Sequence, residues 1–189
     1  MSTSERHLVL DATNTAITFE VRWFGVIPIR GTFARLHGVL ELGEDSIARS
    51  TVRLDVEAGS VSTGIGLRDR HLRGPRFLFA DLHPFVSFKS TAVRQEHGRL
   101  VVDGTLSLRG RETVISTTCP LDEVGEGHGS VDMSGAFVIP RRPFDIGVPP
   151  GLAGLNPLFH AIAGHVTIHV RLRVPVARLR PALQNTAAR

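Results

Sequence analysis

The residues best equipped for chemistry lie in one connection, Ser62–Phe88. It holds the adjacent pair Arg68-Asp69, then His71, a Gly74-Pro75 break, the phenylalanines Phe77 and Phe79, and His83 before Pro84. Asp69 or His71 could act as an acid or base on a substrate nearby. Arg68, Asp69 and His71 could instead hold a polar head group at the rim of a cavity. In a third role, Arg68 and Asp69 tie a short helix to strand ends, with His71 bonded to backbone. Nucleophile motifs are absent: the chain has no G-x-S-x-G, no H-E-x-x-H, no P-loop and no dinucleotide fingerprint. No catalytic residue is assigned.

Nine histidines raise the question of a metal. His165 and His169 share a face of an alternating segment, which places them about 13 Å apart at ~3.3 Å per residue. One zinc ion cannot join them without other ligands, so no metal site is expected. Cys119 is the sole cysteine. It excludes an internal disulfide and reads as a small buried side chain.

The elements that must position these residues are strands. Apolar residues alternate with polar ones at Ile17, Phe19, Val21 and Trp23, at Val52, Leu54 and Val56, and at Val86, Phe88, Ser90 and Ala92. They do so again at Leu100, Val102, Leu106 and Leu108, at Val131, Met133, Phe137 and Ile139, and from Val166 through Ile168 and Val170 to Val174. Residues 29–42 read as one long strand bent at Gly31 and Gly38. About eight strands at hairpin spacing predict an all-β antiparallel architecture. A closed barrel and a two-sheet sandwich bury the same faces, and the barrel could hold one ligand inside. A short helix is expected near residues 66–74.

The chain has 189 residues, 42% of them hydrophobic, and a net charge of +4. That predicts one domain over 1–176 and a flexible tail at 177–189. Lys89 is the sole lysine, and the arginines are scattered among acids. This excludes a nucleic-acid stripe and leaves only a transient attraction to an anionic membrane surface. No apolar run approaches ~20 residues, so no integral membrane segment is expected. The polar N-terminal residues lack the apolar core of a signal peptide, which predicts a cytoplasmic location. The segment Asp145–Gly164 carries Leu152, Leu155, Leu158, Phe159 and Ile162. It is either a cover for one barrel mouth, an apolar plug or a subunit contact, the last implying a homodimer.

With those residues in view, the chain resembles the YceI-like family of lipid- and polyisoprenoid-binding proteins. The resemblance rests on Ile17-Thr18-Phe19-Glu20-Val21, on Arg30-Gly31-Thr32-Phe33 with Gly38, and on Ser62-Thr63-Gly64 followed by Arg68-Asp69, His71-Leu72 and Phe77. Phe88-Lys89-Ser90-Thr91, then Gly104, Leu106, Leu108 and Gly110, and in part Arg141 and Phe144, continue it in order. Trp23 stands where the family usually has histidine, and Phe79 where it usually has aspartate. The resemblance implies an eight-stranded antiparallel lipocalin-like barrel that takes a small hydrophobic ligand. A polyprenyl lipid or isoprenoid quinone would then be a ligand, and no cofactor is expected. The inward candidates are Ile17, Phe19, Val21, Leu54, Phe77, Phe79, Val86, Phe88, Leu106, Phe137, Ile168 and Val170. The alternatives to binding are an enzyme acting on a lipophilic substrate in the same cavity and a packed, ligand-free interaction barrel.

Overall fold

The computed structural model describes residues 7–43, 46–120, 129–147 and 162–179. Its strands are β1 (His7–Leu10), β2 (Thr15–Trp23), β3 (Ile27–Phe33), β4 (Leu36–Glu41), β5 (Thr51–Glu57) and β6 (Val61–Ser62). After helix α1 (Gly66–Arg73) come β7 (Phe85–Glu96), β8 (Arg99–Leu108), β9 (Arg111–Pro120), β10 (Ser130–Pro140) and β11 (His165–Pro175). All join one antiparallel sheet in the order β1-β4-β5-β7-β8-β9-β10-β11-β2-β3-β6.

The eleven strands trace eight paths. β1 and β2 form one path that loops out at 11–14, where Thr15 N–H donates to the Asp11 carbonyl at 2.8 Å. β3 and β4 form a second, bent at Ala34-Arg35, and β5 and β6 a third, bent through the 3-10 turn Ala58–Ser60. β2 pairs with β3 while β1 pairs with β4. β4 pairs with β5 while β3 pairs with β6. The bends themselves are bonded, Ala34 N–H to Ser60 O at 3.3 Å and Glu57 N–H to Arg35 O at 3.0 Å. β11 returns to β2 with Val170 opposite Ile17, so the sheet curls back onto its own first path. This is the barrel alternative, and it leaves few free edges. The long bent strand expected over 29–42 is the β3/β4 path.

Three hairpins use the same turn chemistry. Phe24-Gly25, His97-Gly98 and Arg109-Gly110 each place two successive residues at positive φ. That backbone twist matches the twist of the flanking strands.

One alternation fails. The sequence places Ser90 and Ala92 on one face, but the β7–β8 register shifts between them. A bulge adds one residue there, so Val93 turns inward and is buried while Ala92 is exposed.

The lower end of the barrel is packed shut. Leu10, Leu42, Ile47, Val176 and Leu179 belong to one buried cluster with Leu40 and Leu100. The expected flexible tail therefore starts too early. Residues 176–179 make a helical turn, Leu179 is 1% exposed, and Arg178 donates to the His7 carbonyl at 2.5 Å. One leucine that closes a greasy barrel end outweighs the polar composition around it. Most of the segment expected to cover, plug or bridge the other mouth, residues 148–161, lies outside the described residues.

Candidate functional site

The barrel encloses a cavity of about 470 Å³. Its walls are almost wholly apolar. It extends from Ile47, Cys119 and Leu179 at the closed end to Trp23, Arg68, His71 and Ile162 at the other. Along β11 the lining runs from Val166 to Leu172, about 20 Å of strand. Alternation makes this possible: each strand sends every second side chain inward.

Of the twelve inward candidates, eleven line the cavity: Ile17, Phe19, Val21, Leu54, Phe77, Val86, Phe88, Leu106, Phe137, Ile168 and Val170. Phe79 does not. It holds φ at 51° in the turn after α1, and its ring meets His83 edge-on with centroids 5.9 Å apart. The turn carries it away from the interior, so the substitution at this position does not make the cavity more apolar.

Two phenylalanines owe their positions to glycines. Phe19 is opposite Gly31 across β2–β3, and a Cβ at 31 would come within 2.5 Å of its ring. The Phe88 ring covers Gly104 in the same way. Bare backbone at these two points gives each ring a floor and leaves the barrel centre open.

The three rim candidates separate. Arg68 and His71 reach the cavity; Asp69 does not. Asp69 is buried and faces back along the chain. It accepts from Thr63 N–H at 2.8 Å, from Thr63 Oγ1 at 2.5 Å and from Ser62 Oγ at 3.4 Å. The Thr63 hydroxyl bond, above all, holds its carboxyl below the usual aspartate range, against the opposing effect of burial. Arg68 completes the latch, donating from Nε to Thr63 Oγ1 at 2.7 Å and from Nη2 to Thr63 O at 3.0 Å. Arg73 Nη2 adds a bond to Val61 O at 3.0 Å. The short helix is thus fastened to the end of β6, and Gly74-Pro75 ends it. The head-group role expected of Asp69 does not fit its placement: it does not line the cavity, and its oxygens accept from Ser62 and Thr63.

His71 forms no ion pair with a carboxylate among the described residues. There is also no group of three or more His, Cys, Asp or Glu side chains placed to hold a metal among them.

Arg141 is the rim residue that reading by motif did not single out as a site. It is 6% exposed and lines the cavity. Its guanidinium donates to three carbonyls: Ala163 O at 2.5 Å, Ile146 O at 2.6 Å and Ile162 O at 2.9 Å. Burial pushes its pKa down, yet arginine keeps its charge at any ordinary pH. The signal for it was the Arg141-Arg142 pair at the start of an irregular stretch, where carbonyls have no strand partner.

The fold and the cavity define a class: an antiparallel barrel of eight strand paths, closed at one end around an elongated apolar interior. The chain belongs to the YceI-like domain family, whose model matches residues 8–174. It is 29% identical over 111 residues to Protein YceI of Shigella flexneri, covering 59% of this chain and 57% of that one. It is 31% identical over 94 residues to Protein YceI of Salmonella arizonae, covering 50% and 49%. The matched part thus spans about half the length of these curated relatives. Among solved structures, Burkholderia cenocepacia BcnA superposes with a TM-score of 0.72 at 16% identity, over 85% of this chain and 96% of that one. A polyisoprenoid binding domain from Saccharophagus degradans gives 0.65 at 15%, over 90% and 98%. At these identities the structural likeness is one of fold. No helix among the described residues is long and apolar enough to cross a membrane.

Proposed function

We propose that this protein binds one long-chain amphiphile inside the barrel and sequesters or carries it. The ligand class is a polyisoprenoid, an isoprenoid quinone or a fatty-acyl lipid. The observation that carries the reading is the cavity: about 470 Å³, elongated and almost free of polar walls. That volume is in the range of small-molecule sites. The family, and a structural neighbour described as a polyisoprenoid binding domain, support the same class.

The tail would lie against Ile17, Phe19, Leu54, Phe88, Ile168 and Val170. At ~0.8 kcal/mol per buried CH₂, a chain of about sixteen carbons gives roughly 13 kcal/mol gross, before the costs of association and ordering. The head group would stay at the open end near Arg68 and His71. Binding is favoured over catalysis because Asp69 is committed to Thr63 and does not line the cavity.

Solvent extraction of the purified protein followed by mass spectrometry tests this. A co-purified long-chain amphiphile is expected. A clean extract, together with no binding of added prenyl or acyl lipids, overturns it.

A further inference from the structure

The open end of the barrel has an outer surface as distinctive as its interior. Eleven large hydrophobic residues are exposed among the described residues, and eight of them fall within 23–27 and 65–85. Both stretches lie at this end. Phe24, Val26 and Ile27 form the β2–β3 tip; Ile65 and Leu67 stand at the start of α1, and Leu82 on the turn that follows it. These six are between 49% and 70% exposed.

On its β2 side the hairpin tip is bridged by Ile162 at Trp23, but on its β3 side the neighbouring strand stops short. β6 ends at Ser62 opposite Thr32, five residues before Ile27, about 16 Å along the strand. Helix α1, fastened to the end of β6, bounds the notch that remains. Both sides of the notch reach the cavity, through Val21, Trp23 and Ile29 from the hairpin and Arg68, His71 and Leu72 from the helix. The exposed apolar tips therefore flank an opening into the barrel.

The same end is rich in arginine. The segments at the open end, 22–28, 62–84, 109–112, 141–147 and 162–165, hold nine arginines and four carboxylates, on a chain of net charge +4. Arg70, Arg73, Arg76 and Arg142 among them are exposed.

Apolar tips at an end that also exposes arginines fit one partner better than another protein or a second copy: they insert among acyl chains while the guanidinium groups meet phosphates. We propose that the open end of the barrel docks onto an anionic lipid bilayer, with the β2–β3 tip and the start of α1 entering the interface. Loading of the cavity from that bilayer rests on the amphiphile reading; docking does not.

Flotation with vesicles tests it, using phosphatidylcholine alone and phosphatidylcholine mixed equally with phosphatidylglycerol. The protein should float with the anionic vesicles, less so at high salt, and should not float with the neutral ones. The double variant Val26→Asp, Leu67→Asp alters two exposed side chains that do not line the cavity. It should weaken binding about tenfold or more. A second pair, Arg70→Glu with Arg142→Glu, should weaken it independently. Urea midpoints establish that each variant is folded. No flotation with anionic vesicles overturns the proposal, as does flotation unchanged by either pair. A dimer in sedimentation velocity that the aspartate pair abolishes also overturns it, because the tips would then cover a second copy. Binding of a fluorescent acyl probe without vesicles is read separately. Probe binding lost with flotation retained overturns the amphiphile reading alone, and the reverse overturns docking alone.

Discussion

Phe19 and Gly31 are register partners, and the phenylalanine ring occupies the space a side chain at 31 would need. The Ser62 carbonyl closes that space from the other side, 2.8 Å from where a Cβ would stand. Neither neighbour can give way cheaply: the ring is buried and the carbonyl belongs to a short paired strand. Gly31→Val should destabilise the protein by about 1–3 kcal/mol, the usual cost of overpacking. Urea denaturation measures the loss. Gly31→Ser should cost less because it adds less bulk beyond the Cβ.

The Thr63–Asp69 latch makes a prediction about pH. The carboxyl of Asp69 has a lowered pKa when folded and titrates near ~3.9 when unfolded. A depressed folded pKa means stability that is present above the unfolded value and is lost as pH falls through the folded one. Asp69→Asn should therefore lower the thermal midpoint at neutral pH, and its deficit relative to the parent should narrow below about pH 4. A deficit that stays constant through acid would show that the charge is not what the latch uses.

Val170 and Ile17 face each other across the β11–β2 pair and both line the cavity. Val170→Trp should fill part of the tunnel rather than strain the wall, since the space beside it is already empty. Affinity for a fluorescent acyl probe should fall about tenfold, or ~1.4 kcal/mol. The thermal midpoint should shift by no more than about 5 °C. Undiminished affinity would place the tail elsewhere.

Arg141 is the one donor common to the carbonyls of Ile146, Ile162 and Ala163. Arg141→Met keeps the apolar stem and removes every donor. Half-buried carbonyls left without these partners should cost about 1–3 kcal/mol in a urea titration. Arg141→Lys should recover part of this, because one ammonium can serve some of the three acceptors but not in the same fork.

Much of the barrel was legible beforehand because a strand that is wet on one face writes its own alternation. Ile17-Phe19-Val21 and Val166 through Val174 could be read off directly, and eleven of the twelve inward residues line the interior. Where reading failed, a local event had broken the period or supplied a contact from afar. The bulge after Ser90 exchanged Ala92 for Val93. The left-handed turn at Phe79 swung that ring out to His83. Leu179, four residues past the last strand, was drawn in by a barrel end that needed closing.

The order of residues alone determined the apolar face of each regularly alternating strand and that no nucleophile motif is present; these depend on neighbours a few positions apart. Only the tertiary structure decided that the sheet closes through two bent strands, and that the enclosed space is empty rather than packed. The same held at the rim, where Asp69 looks back to Thr63 while Arg68 and His71 look in. A carboxylate's direction and a cavity's volume depend on which distant strands meet, and alternation carries no record of that.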